Sequence, residues 1–230
     1  MPQDALITIA TRHQSHYERL KAHEVKKFDP FLREMDRELR AALAGDDITD
    51  FTRKRMEKKI TQIGALLNGT FNDYQKVWTD SISAASIEEA GFESRALAQV
   101  VEGVEFALPS DAQIVAAVFN TPLGDIPGPG GGQLLESYFD QESKALVRKV
   151  EGAIRSGYAE GQTTEQVIRR IRGTKKANFT DGMWATTKRD IEGVTRTALQ
   201  HASVQAREEV WTANKSIIKK VGIAATLDRK

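Results

Sequence analysis

Three of the four histidines lie near the start of the chain, as His13, His16 and His23. A spacing of three puts two imidazoles on one face of a helix, where a divalent metal could be held. No carboxylate or third histidine completes such a set, so these are expected to be solvated surface histidines, and no metal is expected. His201 lies in a later helical stretch. It has no neighbouring nucleophile for a general base to serve. The chain has no cysteine, which excludes a thiolate nucleophile, a Cys-type zinc site and a disulfide framework. Gly128-Pro129-Gly130-Gly131-Gly132 precedes a helix, and helix N-termini can hold phosphate. It lacks both the GK[ST] ending and the GxGxxG spacing of a nucleotide loop. Neither a catalytic residue nor a cofactor is expected, and a metal hydrolase centred on His201 or the His13/His16 pair is the enzymatic rival.

The other residues that could do chemistry are basic. Tyr158 to Arg172 reads YAEGQTTEQVIRRIR, a turn into a short capped helix that carries Arg169, Arg170 and Arg172 on its outer side. Such side chains contact phosphates or enter a groove. Lys175-Lys176 and Lys188-Arg189 follow, with Lys219-Lys220 further on. Arg169, Arg170, Arg172, Lys175, Lys176, Lys188 and Arg189 are therefore the candidate DNA contacts, and a helix-turn-helix regulator is an alternative reading. The plain alternative is an amphipathic helix whose arginines are simply exposed. Few exposed aromatics interleave with them, so stacking on single strands is not indicated.

Charge along the 230 residues is uneven although the net charge is only +1. Residues 1–79 hold 14 basic and 12 acidic side chains, residues 80–140 hold one basic and 10 acidic, and residues 141–230 hold 18 and 10. The near-balanced total argues against a wholly basic nucleic-acid coat. The acidic middle and basic end suggest two surfaces with different partners, or one contacting the other, and they read equally well as ordinary solvated helix faces. No apolar run reaches the roughly 20 residues of a membrane span. The opening MPQDALITIATRHQ has no signal-peptide pattern. A soluble, non-secreted protein is expected.

The elements that must position these residues are mostly helices. An irregular stripe of Leu6, Ile9, Tyr17, Leu20 and Val25 predicts a first helix, broken at Asp29-Pro30 because a residue before proline is pushed out of the α region. Phe31, Leu32, Met35, Leu39 and Leu43 predict a second. Phe51, Met56, Ile60, Ile63 and Leu67 predict a third, with Arg53-Lys54-Arg55 outward. Short connections imply an antiparallel bundle. Helix-like sequence continues to Phe119, broken by Gly91 and by Pro109, with Ser110 or Asp111 as a cap.

The stretch 121–132, TPLGDIPGPGGG, carries three prolines and five glycines. It marks the main boundary, as a linker or as a long ordered loop. Beyond it, 133–156 predicts a helix, and Thr163 to Gln166 fits a capping box that opens a short helix to Arg172. A long helix follows over about 183–214, with Trp184, Ile191, Val194, Ala198, Ala202, Ala206 and Val210 on one face, and its small residues suggest close helix packing. Residues 217–227 read better as a strand. The expected architecture is mainly α: an N-terminal helical domain over 1–120, and long C-terminal helices with a small β element in a domain over 133–230.

Three features over roughly the last hundred residues carry a family resemblance. One is GYAEGQTTEQVIRRIRG, a turn and short helix that contain Gly161 and Thr163. Another is Thr195-Arg196-Thr197-Ala198 in a long helix, running on to Ala206-Arg207 and Asn214. The last is Lys220 to Asp228, which opens in Lys-Val and closes in Ala-Thr-Leu-Asp with Thr226 and Asp228. In this order they resemble the phage head morphogenesis family, the Mu F-like minor head proteins of tailed phages. The acidic residue that usually follows the Arg-Thr pair is replaced here by Ala198-Leu199.

The resemblance implies a non-catalytic structural protein of the virion head, assembled in the host cytoplasm and present in multiple copies at the portal vertex. Its implied partners are the portal protein, capsid or scaffolding protein, and packaged double-stranded DNA bound without regard to sequence. On that reading the basic end faces DNA. The N-terminal helices, through an exposed face around Phe28 and Phe31, meet the portal, unless those phenylalanines belong to the core, which is the commoner fate of such rings.

Overall fold

The computed structural model describes residues 2–220 apart from 46, 102, 125, 127, 129 and 130, with side chains from residue 7 onward. The fold is mainly α. Helices α1 (Pro2–Glu24), α2 (Asp29–Leu43), α3 (Arg53–Val100), α4 (Asp111–Asn120), α5 (Leu135–Ala159), α6 (Thr164–Arg172) and α7 (Met183–Ala213) follow in chain order. Short 3-10 turns lie at Val25–Phe28, Ile48–Asp50 and Lys175–Ala177.

Several boundaries differ from the expected ones. Asp29 keeps helical dihedrals, φ −57° and ψ −39°, although Pro30 follows it. Proline falls in the first turn of α2, where its missing N–H would have had no helical acceptor. The chain therefore passes from α1 to α2 through a single 3-10 turn. Helix α3 runs without interruption through Gly64, Gly69 and Gly91. A helical glycine costs only about 1 kcal/mol relative to alanine. Burial of Ile60, Ile63, Leu67, Phe71, Tyr74, Trp78 and Ile82 along the same helix outweighs that. Ile217 lies in the turn that closes α7, where the Ile217 and Ile218 N–H groups both donate to the Asn214 carbonyl. The strand expected there does not start in this part, and from residue 221 it lies outside the described residues, together with Thr226 and Asp228.

The residues gather into two compact units that interleave in sequence. One draws on Met1–Ala22, Asp80–Leu134 and Thr197–Lys230, the other on His23–Thr79 and Leu135–Arg196. The expected division into 1–120 and 133–230 thus differs from the grouping the fold adopts. Of the stretch 121–132, the described part belongs to the first unit. There the chain pairs at Leu123 and Gln133: Leu123 N–H donates to the Gln133 carbonyl at 2.9 Å, and Gln133 N–H returns to the Leu123 carbonyl at 3.4 Å. Gly132 is required at this crossing, because a Cβ would lie 2.7 Å from Pro122 and 2.8 Å from the Leu123 carbonyl oxygen.

The first unit packs Ala90 and Ile114 against Ala206 and Val210, with Leu97 beside them. The alanines at 198, 202 and 206 are fully buried, so the small-residue face of α7 does allow close helix packing. The second unit is built on an aromatic cluster. Phe28 lies 4.9 Å from Tyr74, and Tyr74 and Trp78 lie 5.7 and 4.9 Å from Phe139. Helix α6 packs on α5 and α2. Gly157 permits the close approach to α5, since a Cβ there would sit 2.3 Å from Val167 Cγ2.

Candidate functional site

The turn before α6 is built as its residue types require. Gly161 takes φ +67°, a left-handed conformation that glycine adopts without cost from a side chain. Thr163 then caps the helix. Its Oγ1 accepts from Gln166 N–H at 3.3 Å, and its own N–H donates to Gln166 Oε1 at 2.8 Å. The helix start is tied to the 3-10 turn after α2, where Ile48 N–H donates to Thr164 Oγ1 at 3.0 Å.

The candidate DNA contacts fall into two groups. Arg169, Arg170, Lys175, Lys176 and Arg189 are exposed. Arg170 reaches Glu160 at 3.6 Å, and Arg189 donates to Thr186 Oγ1 at 3.3 Å. Arg172 and Lys188 are not simply outward-facing. Arg172 folds back over the Phe179 ring, 4.5 Å from its centroid, and lies 3.6 Å from Asp36. Lys188 pairs with Asp29 at 2.6 Å. Between α6 and α7 the chain is clamped by Asp181, which accepts from Thr174 N–H at 2.7 Å and Thr174 Oγ1 at 2.8 Å. Those two bonds, the backbone one first, hold the Asp181 carboxyl below the usual carboxylate range.

Of the other motif residues, Asn214 has the clearest role. It is buried at the end of α7. Its side chain accepts from Ala107 N–H and donates to the Ala107 carbonyl, both at 2.8 Å, and donates to the Val210 carbonyl at 2.7 Å. One amide thus closes the helix end and fixes the chain ahead of α4. Arg196 and Thr197 are exposed on α7.

Phe28 is a correction to the expected portal-facing surface. It is fully buried, stacked on Phe71 and tilted against Tyr74, because an apolar ring gains more in this core than at the surface. Phe31 is half-buried, 5.2 Å from Tyr74.

A buried polar cluster that the motifs do not announce lies on α1, α3 and α7. Glu89, on α3, has no exposed side-chain surface. Arg207 Nε donates to its Oε1 at 2.6 Å, with a second guanidinium contact from the same residue, and Ser203 donates at 3.1 Å. His13 Nε2 donates to the other oxygen at 2.6 Å. The His13 ring is stacked on Phe92 at 3.4 Å. Alongside it, Tyr17 donates to the Leu199 carbonyl at 2.6 Å, and burial pushes its phenol up. Trp211 donates to Glu93 at 2.7 Å. His13 is therefore a buried structural residue, whereas His16 is exposed, 3.6 Å from Glu88. The available signal was the i, i+4, i+8 spacing of His13, Tyr17 and Lys21, all buried on one face of α1.

His201 donates through Nε2 to the Val118 carbonyl at 3.0 Å, and burial holds its imidazolium below the usual range against the pull of that bond and of Glu208. Among the described residues, no group of three or more His, Asp or Glu could hold a metal ion. None of the described helices is long and apolar enough to cross a membrane. No family model, curated protein or solved structure matches the chain.

Proposed function

We propose that the chain is a minor structural head protein of a tailed phage, bound at the portal vertex in several copies and acting in procapsid assembly and in DNA packaging or ejection. The observation that carries this reading is what Gly161, Thr163 and Asn214 do. These residues belong to the motifs that resemble the head morphogenesis family, and each of them shapes a turn or closes a helix end. Motif positions spent on architecture suit a scaffold that offers surfaces to other proteins. The exposed Arg169, Arg170, Lys175, Lys176 and Arg189 would meet the phosphates of packaged duplex DNA. In this role the portal protein is the main partner, with capsid or scaffolding protein beside it.

Co-purification with procapsids and with isolated portal protein, at low and moderate salt, tests the reading. Stable stoichiometric retention on the portal is expected, together with weak binding to duplex DNA of any sequence that fades as salt rises. A chain that stays free of the portal and shifts one specific duplex would replace this reading with the helix-turn-helix regulator.

A further inference from the structure

A groove of about 810 Å³ in the second unit is lined by five basic side chains. Arg33, Arg37 and Arg40 come from α2, Arg172 from the end of α6 and Lys188 from α7, and the acidic residues in the lining are Glu34 and Asp36. Pairing among them is uneven. Asp36 alone receives Arg40 at 3.0 Å, Arg172 at 3.6 Å and the Trp184 indole N–H at 3.3 Å. Arg37 is paired with Glu34, and Lys188 with Asp29. Arg33 is exposed and forms no ion pair among the described residues. Two guanidiniums on one carboxylate, with a further arginine beside them, leave an excess of positive charge that an anion would complement.

The groove also carries a cation–π pair. Phe179 backs the Arg172 guanidinium, and it does so from φ +60°, directly after Asn178 at φ +48°. Two consecutive non-glycine residues in the left-handed region are strained, and such strain persists only where the surroundings hold it. Here Asp181 ties the loop to Thr174, and Gly173 and Gly182 cross so closely that a Cβ on Gly182 would lie 2.2 Å from the Gly173 nitrogen. The loop keeps the Arg172 guanidinium over an aromatic ring in the lining of a cationic groove. That arrangement suits a phosphate joined to an aromatic base.

We propose that this groove binds a nucleoside phosphate, with the phosphate among Arg33, Arg40 and Arg172 and the base stacked on the guanidinium that Phe179 supports. The site goes beyond the head-protein reading and does not depend on it. The same chemistry is offered by a free nucleotide and by a unit of a nucleic-acid strand.

Titration calorimetry of the full chain at low salt tests the site with three probes: AMP, inorganic phosphate and a short oligothymidylate. AMP is expected to bind more tightly than phosphate. Arg33→Ala and Arg172→Ala should each weaken AMP about tenfold. Asp36→Asn, which removes the competing carboxylate, should tighten it severalfold. Lys144→Ala, a basic residue of α5 outside the groove, should change nothing, and circular dichroism melts confirm that each variant is folded. Oligothymidylate binding tighter than AMP and displaced by it assigns the site to a strand. AMP binding with no response to oligothymidylate assigns it to free nucleotide. The proposal is overturned if neither probe binds, if Lys144→Ala weakens AMP as much as Arg33→Ala, or if Asp36→Asn weakens it. Phosphate binding as tightly as AMP would remove the base-stacking half.

Discussion

Glu89 is the residue on which most of the buried polar chemistry converges. A carboxylate without exposed side-chain surface is sustained by His13, Ser203 and Arg207, and removing it leaves the buried His13 imidazole without its partner and Arg207 with only Glu93, 3.8 Å away. Breaking such a pair from one side costs about 3–5 kcal/mol. Glu89→Ala is expected to lose that amount in urea unfolding, and Glu89→Gln less, since its amide keeps one acceptor. An unchanged midpoint in Glu89→Ala would mean that the cluster contributes nothing to stability. His201 supplies a pH dependence. Because burial lowers its folded pKa below the ordinary 6.5, the unfolded chain takes up the proton first. Its contribution is therefore intact above pH 6.5 and is lost as pH falls from there through the lowered folded value. The unfolding midpoint should decline over that window, and the decline should flatten in His201→Gln. The spacing along α1 hints at a buried face, but the partners in neither arrangement could be read from the sequence. His13 lies 76 residues from Glu89, Arg207 lies 118 from it, and Glu89 itself sits in an acidic stretch that reads as a solvated face.

Single elements were legible wherever the signal was local. The α6 capping box spans four residues, and the apolar face of α7 repeats with helical period, so both emerge from spacing alone. The length of α3 did not, because a glycine that breaks an isolated helix is tolerated where neighbouring turns are deeply buried. The turn into α6 separates three contributions that a thermal or urea titration can resolve. Thr163→Ala should cost about 1 kcal/mol through loss of the cap. Gly161→Ala should cost about 1–2 kcal/mol from its left-handed backbone alone, since no atom lies within 4 Å of the added Cβ. Gly157→Ala should cost more than either, because its Cβ would collide with Val167 and part α6 from α5. If Gly157→Ala were the mildest of the three, the close packing of α5 and α6 would not be limiting.

At the scale of the whole molecule, chain order and spatial grouping part company. Composition marks 121–132 as the boundary, since proline and glycine are dense there, yet composition reports only where the chain turns and not which helices meet afterwards. In the first unit, Ala90 and Ile114 pack on Ala206 and Val210, and Asn214 holds Ala107. In the second, Phe139 packs on Tyr74 and Trp78, and Arg155 reaches Glu57 at 2.9 Å. Each core is thus assembled from both sides of the loop. A chain cut within 121–132 should then give two fragments that each lack a cooperative unfolding transition, since either one alone exposes half of two apolar cores. Mixing them should restore the helical signal and a single complex on gel filtration, because the contacts that define both units are regained without a covalent link. A fragment that melts cooperatively alone would show that one side of the loop holds a sufficient core by itself, and that the interleaved contacts add to a domain already formed.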